Sequence, residues 1–383
     1  MSGDKIENVL ILQGGGSLGA FGCGVFKALA NNNIKIDIVA GTSIGGLNAT
    51  IIAGSKGDHP ERELEQFWLE LAEGSSTNLK PPASTVDSFS LPRFSQAKSI
   101  LSFYDAAFHG NKKVFVPRWR PEYFFFDPQC FTPDKWTYLF DHTPLVNTLE
   151  KYVDFNKLQP NGNSNARLII TAVNVLTAEP LTFDSAKQQI TPKHIMATTG
   201  YPTYYFQWAE VEKGVYAWDG SLLSNTPLRE VIDASPVNDK RIFLVENYPK
   251  NTDKLPDNIH EVQHRARDIM FSDKTQHNIQ MAKAMTYQLR FIDELYQAVE
   301  NRFDMQNKED KKKFEKIRAK YKKIAEEHGA EIKAVYHITR DELSPSLYEN
   351  ADFSRNTIKD SIKNGELKTN EILPRIGWEK CAL

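Results

Sequence analysis

Twice within its first 55 residues the chain runs from a short apolar stretch into a glycine turn and out into a helical pattern. Val9-Leu10-Ile11-Leu12 enters Gly14-Gly15-Gly16. Leu18, Phe21, Gly22, Val25, Phe26 and Leu29 then recur at helical spacing as far as Asn31–Asn33. Ile36 to Ala40 enters Gly41-Thr42-Ser43-Ile44-Gly45-Gly46, and a helix of small and apolar residues follows from about Ile44 to Ala53. Parallel strands need a long crossover, which a helix supplies. Strand, turn, helix, strand, turn, helix is therefore the opening of a mostly parallel α/β sheet.

Strand patterns return at Ala166–Val175, Val215–Trp218 and Arg241–Glu246, and a long helical pattern runs from Ile259 to about Ala298. Between them the chain is different. A Ser-, Pro- and Thr-rich stretch starts near Ser75, and Leu101–Phe140 holds thirteen aromatics in forty residues, against 11% overall. Residues 75–140 read as an insertion forming a lid or pocket wall, or as a loop-rich subdomain with its own small core. Lys308–Lys323 carries nine basic and three acidic residues around a narrow stripe of Phe314, Ile317, Tyr321 and Ile324. Such a stripe fits a solvated helix with one seam on the core, or a surface for anionic lipid headgroups. The expected organisation is a domain over 1–247 and a mainly helical extension over 248–383.

Composition excludes some classes. A chain of 383 residues with 40% hydrophobic content builds its core without a metal or disulfide staple. A net charge of −2 gives no global field for nucleic acid. Cys23, Cys130 and Cys381 are odd in number and far apart, so no disulfide framework is expected. Lys380-Cys381-Ala382-Leu383 is not a prenylation box. No signal-peptide core and no apolar run of about 18 residues occurs. The expectation is a cytoplasmic protein whose contact with membranes, where it has any, is peripheral.

Acyl transfer needs a nucleophile, a base and oxyanion donors. Ser43 in Gly41-Thr42-Ser43-Ile44-Gly45 has the Gly-x-Ser-x-Gly pattern of a strained strand-to-helix turn, at a helix N-terminus that favours negative charge. The N–H groups around Gly14, Gly15 and Gly16 are the candidate oxyanion donors, since glycines let the backbone approach a ligand. Asp219, in Trp218-Asp219-Gly220-Ser221, ends a short strand; on pattern alone an Asp-Gly pair there is a turn.

Other readings of the same residues stay open. Gly14–Gly19 also fits the dinucleotide fingerprint, with Asp37 as the ribose acid. His260-Glu261-Val262-Gln263-His264 is a literal zinc-protease pattern, although no third ligand follows at the required spacing. His260, His264 and His277 lie beyond Asp219, in an order that a Ser-His-Asp hydrolase would use. A lipid-binding protein that keeps such a fold without catalysis is the non-enzymatic alternative.

Taken together, three motifs resemble the patatin-like phospholipases: Gly14–Gly19 as Gly-Gly-Gly-x-x-Gly, the elbow Gly41–Gly45, and Asp219-Gly220-Ser221 followed by Asn225-Thr226-Pro227. The resemblance covers about residues 8–247. It implies a three-layer α/β/α fold, lipid acyl ester hydrolysis and a Ser43–Asp219 dyad without histidine; no metal or cofactor is expected. The loop and elbow glycines are then Gly19, Gly41, Gly45 and Gly220. Ser221 stands where the family has Gly or Ala. Leu18 stands where many members have Arg or Lys, which leaves acyl hydrolase a firmer expectation than phospholipase. Residues 248–383, including Asn258–Gln263, resemble the C-terminal extension of one bacterial subgroup.

Overall fold

The computed structural model of the protein describes residues 6–74, 110–119, 132–272, 275–300, 302, 307–328, 330–342 and 349–374. The strands are β1 (Ile6–Leu12), β2 (Ile38–Thr42), β3 (Val116–Pro117), β4 (Phe140–Asp141), β5 (Arg167–Asn174), β6 (Pro180–Asp184), β7 (Ala209–Glu212), β8 (Val215–Asp219), β9 (Asp239–Glu246) and β10 (Ile332–Thr339). The helices are α1 (Ala20–Asn31), α2 (Ile44–Gly54), α3 (Pro60–Gly74), α4 (Thr143–Tyr152), α5 (Pro192–Thr199), α6 (Leu228–Ala234), α7 (Ile259–Phe271), α8 (Thr275–Glu300), α9 (Lys308–His328) and α10 (Arg355–Ile372).

The main sheet runs β10-β9-β1-β2-β5-β8-β7, with β6 also on β5. From β10 to β5 every pairing is parallel; β6 and β8 join β5 antiparallel, and β7 joins β8 likewise. Side chains alternate faces along a strand, and here both faces are buried. Leu10, Leu12, Val39, Leu168 and Ile170 meet the helical layer that contains Phe21, Leu47, Phe67 and Ile358. Val9, Ile11, Ile38, Ala40 and Ile169 meet Leu228 and Val231 of α6 and Ile279 of α8. The result is the expected three-layer α/β/α arrangement. α2 is buried on every side, which explains why its sequence is apolar all round.

The C-terminal part is mainly helical and adds one strand that the sequence did not suggest. Its β10 extends the main sheet beside β9, in parallel register from Ile332↔Lys240 to Thr339↔Glu246. A central parallel sheet needs a covered edge, and residues beyond 247 supply one. α10 packs on α1 and buries Ile358 and Ile362. The single helical pattern over Ile259–Ala298 is two helices, with Asn258 capping the first by accepting the Glu261 N–H at 3.0 Å. Lys308–Lys323 lies on α9, whose Phe314 and Tyr321 stack on Tyr296 of α8. No helix among the described residues is long and apolar enough to cross a membrane.

Candidate active site

β2 delivers Ser43 to the carboxyl end of the sheet, where α2 begins. Its backbone takes φ 57° and ψ −130°, a region that side chains rarely occupy. The neighbouring glycines permit this. A Cβ on Gly41 would overlap the Gly45 carbonyl, and one on Gly45 would overlap the Leu12 carbonyl at the end of β1. The elbow therefore closes on itself and seats against the glycine loop.

Sheet register brings the aspartate to the serine. Thr42 pairs with Thr171 in β5, and the next residue, Ala172, pairs with Asp219 in β8. The Thr42 and Thr171 hydroxyls share a hydrogen bond of 2.7 Å across this junction. Asp219 is 1% exposed, and its Oδ1 accepts the Ser221 N–H at 2.9 Å. Burial raises its carboxyl from 3.8 to about 6, against the lowering effect of the Ser43 hydroxyl and of Ser221. Oδ2 nevertheless has no hydrogen bond of good geometry. Ser43 thus lies close enough to act on the charge without its hydroxyl being aligned on Oδ2.

The glycine loop meets the serine from the β1 side. The Gly14 N–H donates to Asn225 Oδ1 at 3.0 Å, so it is engaged by the protein. This modifies the expectation for Gly14–Gly16: Gly15 and Gly16 line the cavity, and their N–H groups donate to no acceptor among the described residues. Gly19 packs tightly on Ile44, and Gly220 on Thr171. Sequence reasoning passed over the polar residues that fix this loop. Gln13 Nε2 donates to Thr226 Oγ1 at 3.0 Å, and the Asn247 N–H donates to Gln13 Oε1 at 2.9 Å. Their signal was present as polar residues directly after the apolar strands β1 and β9.

A cavity of about 670 Å³ opens above Ser43 and Asp219. Its lining includes Leu71, Val114 and Leu145 and two clusters of rings in mutual contact: Phe115, Phe140 and Phe206 in one part, and Tyr201, Tyr204, Tyr248 and Phe271 in another. Phe115, Trp119 and Phe140 come from the aromatic-rich insertion; its segments 75–109 and 120–131 lie outside the described residues. The cavity is also walled by Asn350, Ala351 and Phe353 from the C-terminal part. Leu18 packs with Tyr248 and Phe271.

Among the described residues the rival constellations do not assemble. His260 is exposed while His264 is buried, so the two do not share a site. His264 instead joins Asp268, Glu342 and Glu349 in an ion cluster that also holds Arg267 and Arg340. Three acidic groups face three basic ones there, so the cluster balances without a cation. Burial alone would lower His264; its contacts with Glu342 and Glu349 outweigh that and raise it to about 9. No histidine lines the cavity among the described residues, and the His277 side chain lies outside them. Asp37 sits before β2, at the sheet end away from the glycine loop, and accepts the Asn8 N–H at 3.0 Å.

Residues 10–232 match the family model described as Patatin-like phospholipase. Among curated proteins none matches the chain. Of solved structures, VipD from Legionella pneumophila is similar at 15% identity and a TM-score of 0.39, over 98% of this chain and 68% of its own.

Proposed function

Because the chain belongs to the patatin-like phospholipase family, we propose that it is a serine hydrolase of lipid acyl esters working through a Ser43–Asp219 dyad. The observation that carries this reading is the convergence of an elbow serine, a buried aspartate and a glycine loop on one apolar cavity.

Asp219 takes the Ser43 proton as Oγ attacks the acyl carbonyl. The oxyanion forms against the Gly15 and Gly16 N–H groups, where preorganised donors need no reorientation. Asp219 then returns the proton to the leaving alcohol, and a water repeats the cycle on the acyl-enzyme. An ordinary carboxylate is a weak base near neutral pH; a value near 6 makes Asp219 a stronger one that is still ionised. The acyl chain lies among Leu71, Val114, Phe115 and Leu145, with the aromatic insertion as its wall. Lipid is approached peripherally, and no metal or cofactor takes part.

The test is a fluorophosphonate probe beside an ester panel of increasing acyl length. The expected result is labelling and hydrolysis in the wild type and neither in Ser43→Ala. Hydrolysis that survives Ser43→Ala would sink the reading.

A further inference from the structure

Two asparagines, one in the loop between β8 and α6 and one directly after β9, grip the glycine loop, and the dyad chemistry uses neither. Asn225 Oδ1 accepts the Gly14 N–H at 3.0 Å. Asn247, which directly follows β9, donates through Nδ2 to two successive carbonyls, Gln13 O and Gly14 O, each at 3.1 Å. Two carbonyl acceptors require the amide nitrogen on that side, which fixes the orientation of the Asn247 amide.

In an extended strand successive carbonyls point to opposite sides. Here both point to Asn247. No peptide bond of the described chain is cis, so each N–H lies opposite its carbonyl. The Gln13–Gly14 peptide confirms the geometry: its carbonyl meets Asn247 and its N–H meets Asn225, a cavity-lining residue. By the same rule the Gly14–Gly15 peptide, with its carbonyl on Asn247, turns the Gly15 N–H to the cavity side. With the Gly14 N–H taken by Asn225, the Gly15 N–H is the one of the two left to meet a ligand from that side.

We propose that Asn247 is a positioning residue that aims the Gly15 N–H at the developing oxyanion; this rests on the hydrolase reading above. Asn247 is 1% exposed and its Oδ1 has no hydrogen-bond partner. A buried acceptor left unsatisfied calls for an explanation, and use of the amide as a donor to two carbonyls is one. The C-terminal part braces it: Arg340 Nε donates to the Asn247 carbonyl at 3.0 Å.

Asn247→Asp keeps the shape and, at pH 8, loses both donors. The expected result is a fall in kcat of about 10²-fold with KM within about threefold, since small misplacements act on the transition state. A trifluoromethyl ketone inhibitor, which forms the tetrahedral adduct, should lose affinity by the same factor, while binding of a neutral long-chain alcohol stays unchanged. Unchanged kcat, or a loss confined to KM, overturns the proposal. If Asn247→Asp does not fold, Asn247→Ser, which keeps one donor, is measured in its place; full activity there also overturns it. Ser43→Ala separates the two levels. Activity in that variant removes the hydrolase reading itself, whereas an inactive Ser43→Ala beside a fully active Asn247→Asp removes only the role of Asn247.

Discussion

Thr198 accepts the backbone N–H of Ser43 at 3.0 Å and donates its own hydroxyl proton to the Thr171 carbonyl at 2.7 Å. One fully buried hydroxyl thus ties the strained elbow to β5, the strand that also carries the aspartate's partner. The Ser43 N–H is consequently not an oxyanion donor. Thr198→Val keeps the volume and orphans both groups, at about 1–3 kcal/mol per unsatisfied group. The expected outcome is a lower unfolding midpoint and a lower kcat, with Thr198→Ser restoring both. A valine variant as active and as stable as the wild type would remove the elbow's dependence on this bond.

The pH profile tests the base. A general base acts only when ionised, and the carboxyl of Asp219, proposed for that role, is raised to about 6. The value of kcat/KM should therefore rise with pH through an acid limb near 6 and level off above it. Asp219→Asn should lower kcat by about 10²–10⁴-fold, the usual contribution of a positioned base. A limb below pH 5 would mean that burial does not tune this group.

The same shift bears on stability. The folded value of Asp219, about 6, lies above the ordinary 3.8, so the unfolded chain ionises first as pH rises. The native state loses stability across that window and carries the full penalty above it. At 1.36 kcal/mol per pH unit the gap amounts to roughly 3 kcal/mol. Asp219→Asn, which cannot ionise, should gain stability relative to the wild type between pH 4 and pH 8 by about that amount. Denaturant melts at the two pH values measure it, and a margin independent of pH would contradict a net burial penalty on this carboxylate.

The early parallel units and the serine elbow were legible because they are local. An apolar run, glycines and a helical period lie next to one another at 9–29 and 36–53. The aspartate was not legible by itself, since its partner Ala172 lies in another strand and Trp218-Asp219-Gly220 reads as a turn. β10 was obscured for a related reason. An edge strand has one neighbour and an exposed side, and Lys333 and His337 interrupt its apolar pattern. The hands on the glycine loop, Asn225 and Asn247, are about 211 and 233 residues from the Gly14 groups they bind. No periodicity links positions so far apart. The zinc pattern at 260–264 is the opposite case: its spacing is right for one helix face, but no third ligand follows in the sequence, and His264 is turned into an ion cluster.

Val114 is half-buried and lines the apolar part of the cavity beside Phe115, Leu71 and Leu145. Filling that part should shorten the acyl chain the protein accepts, without touching Ser43 or Asp219. Each methylene withdrawn from water contributes about 0.8 kcal/mol. Val114→Phe, by excluding three of them, should cost roughly 2.4 kcal/mol, or some 50-fold in kcat/KM for long-chain esters. Butyrate esters, whose chain ends nearer the serine, should keep kcat/KM within about threefold of the wild type. Rates across a series of 4-nitrophenyl esters read the crossover directly. A parallel loss at every chain length would show that the substitution disturbs the catalytic groups, and an unaltered series would place the acyl chain in the other part of the cavity, between Tyr201, Tyr248 and Phe271.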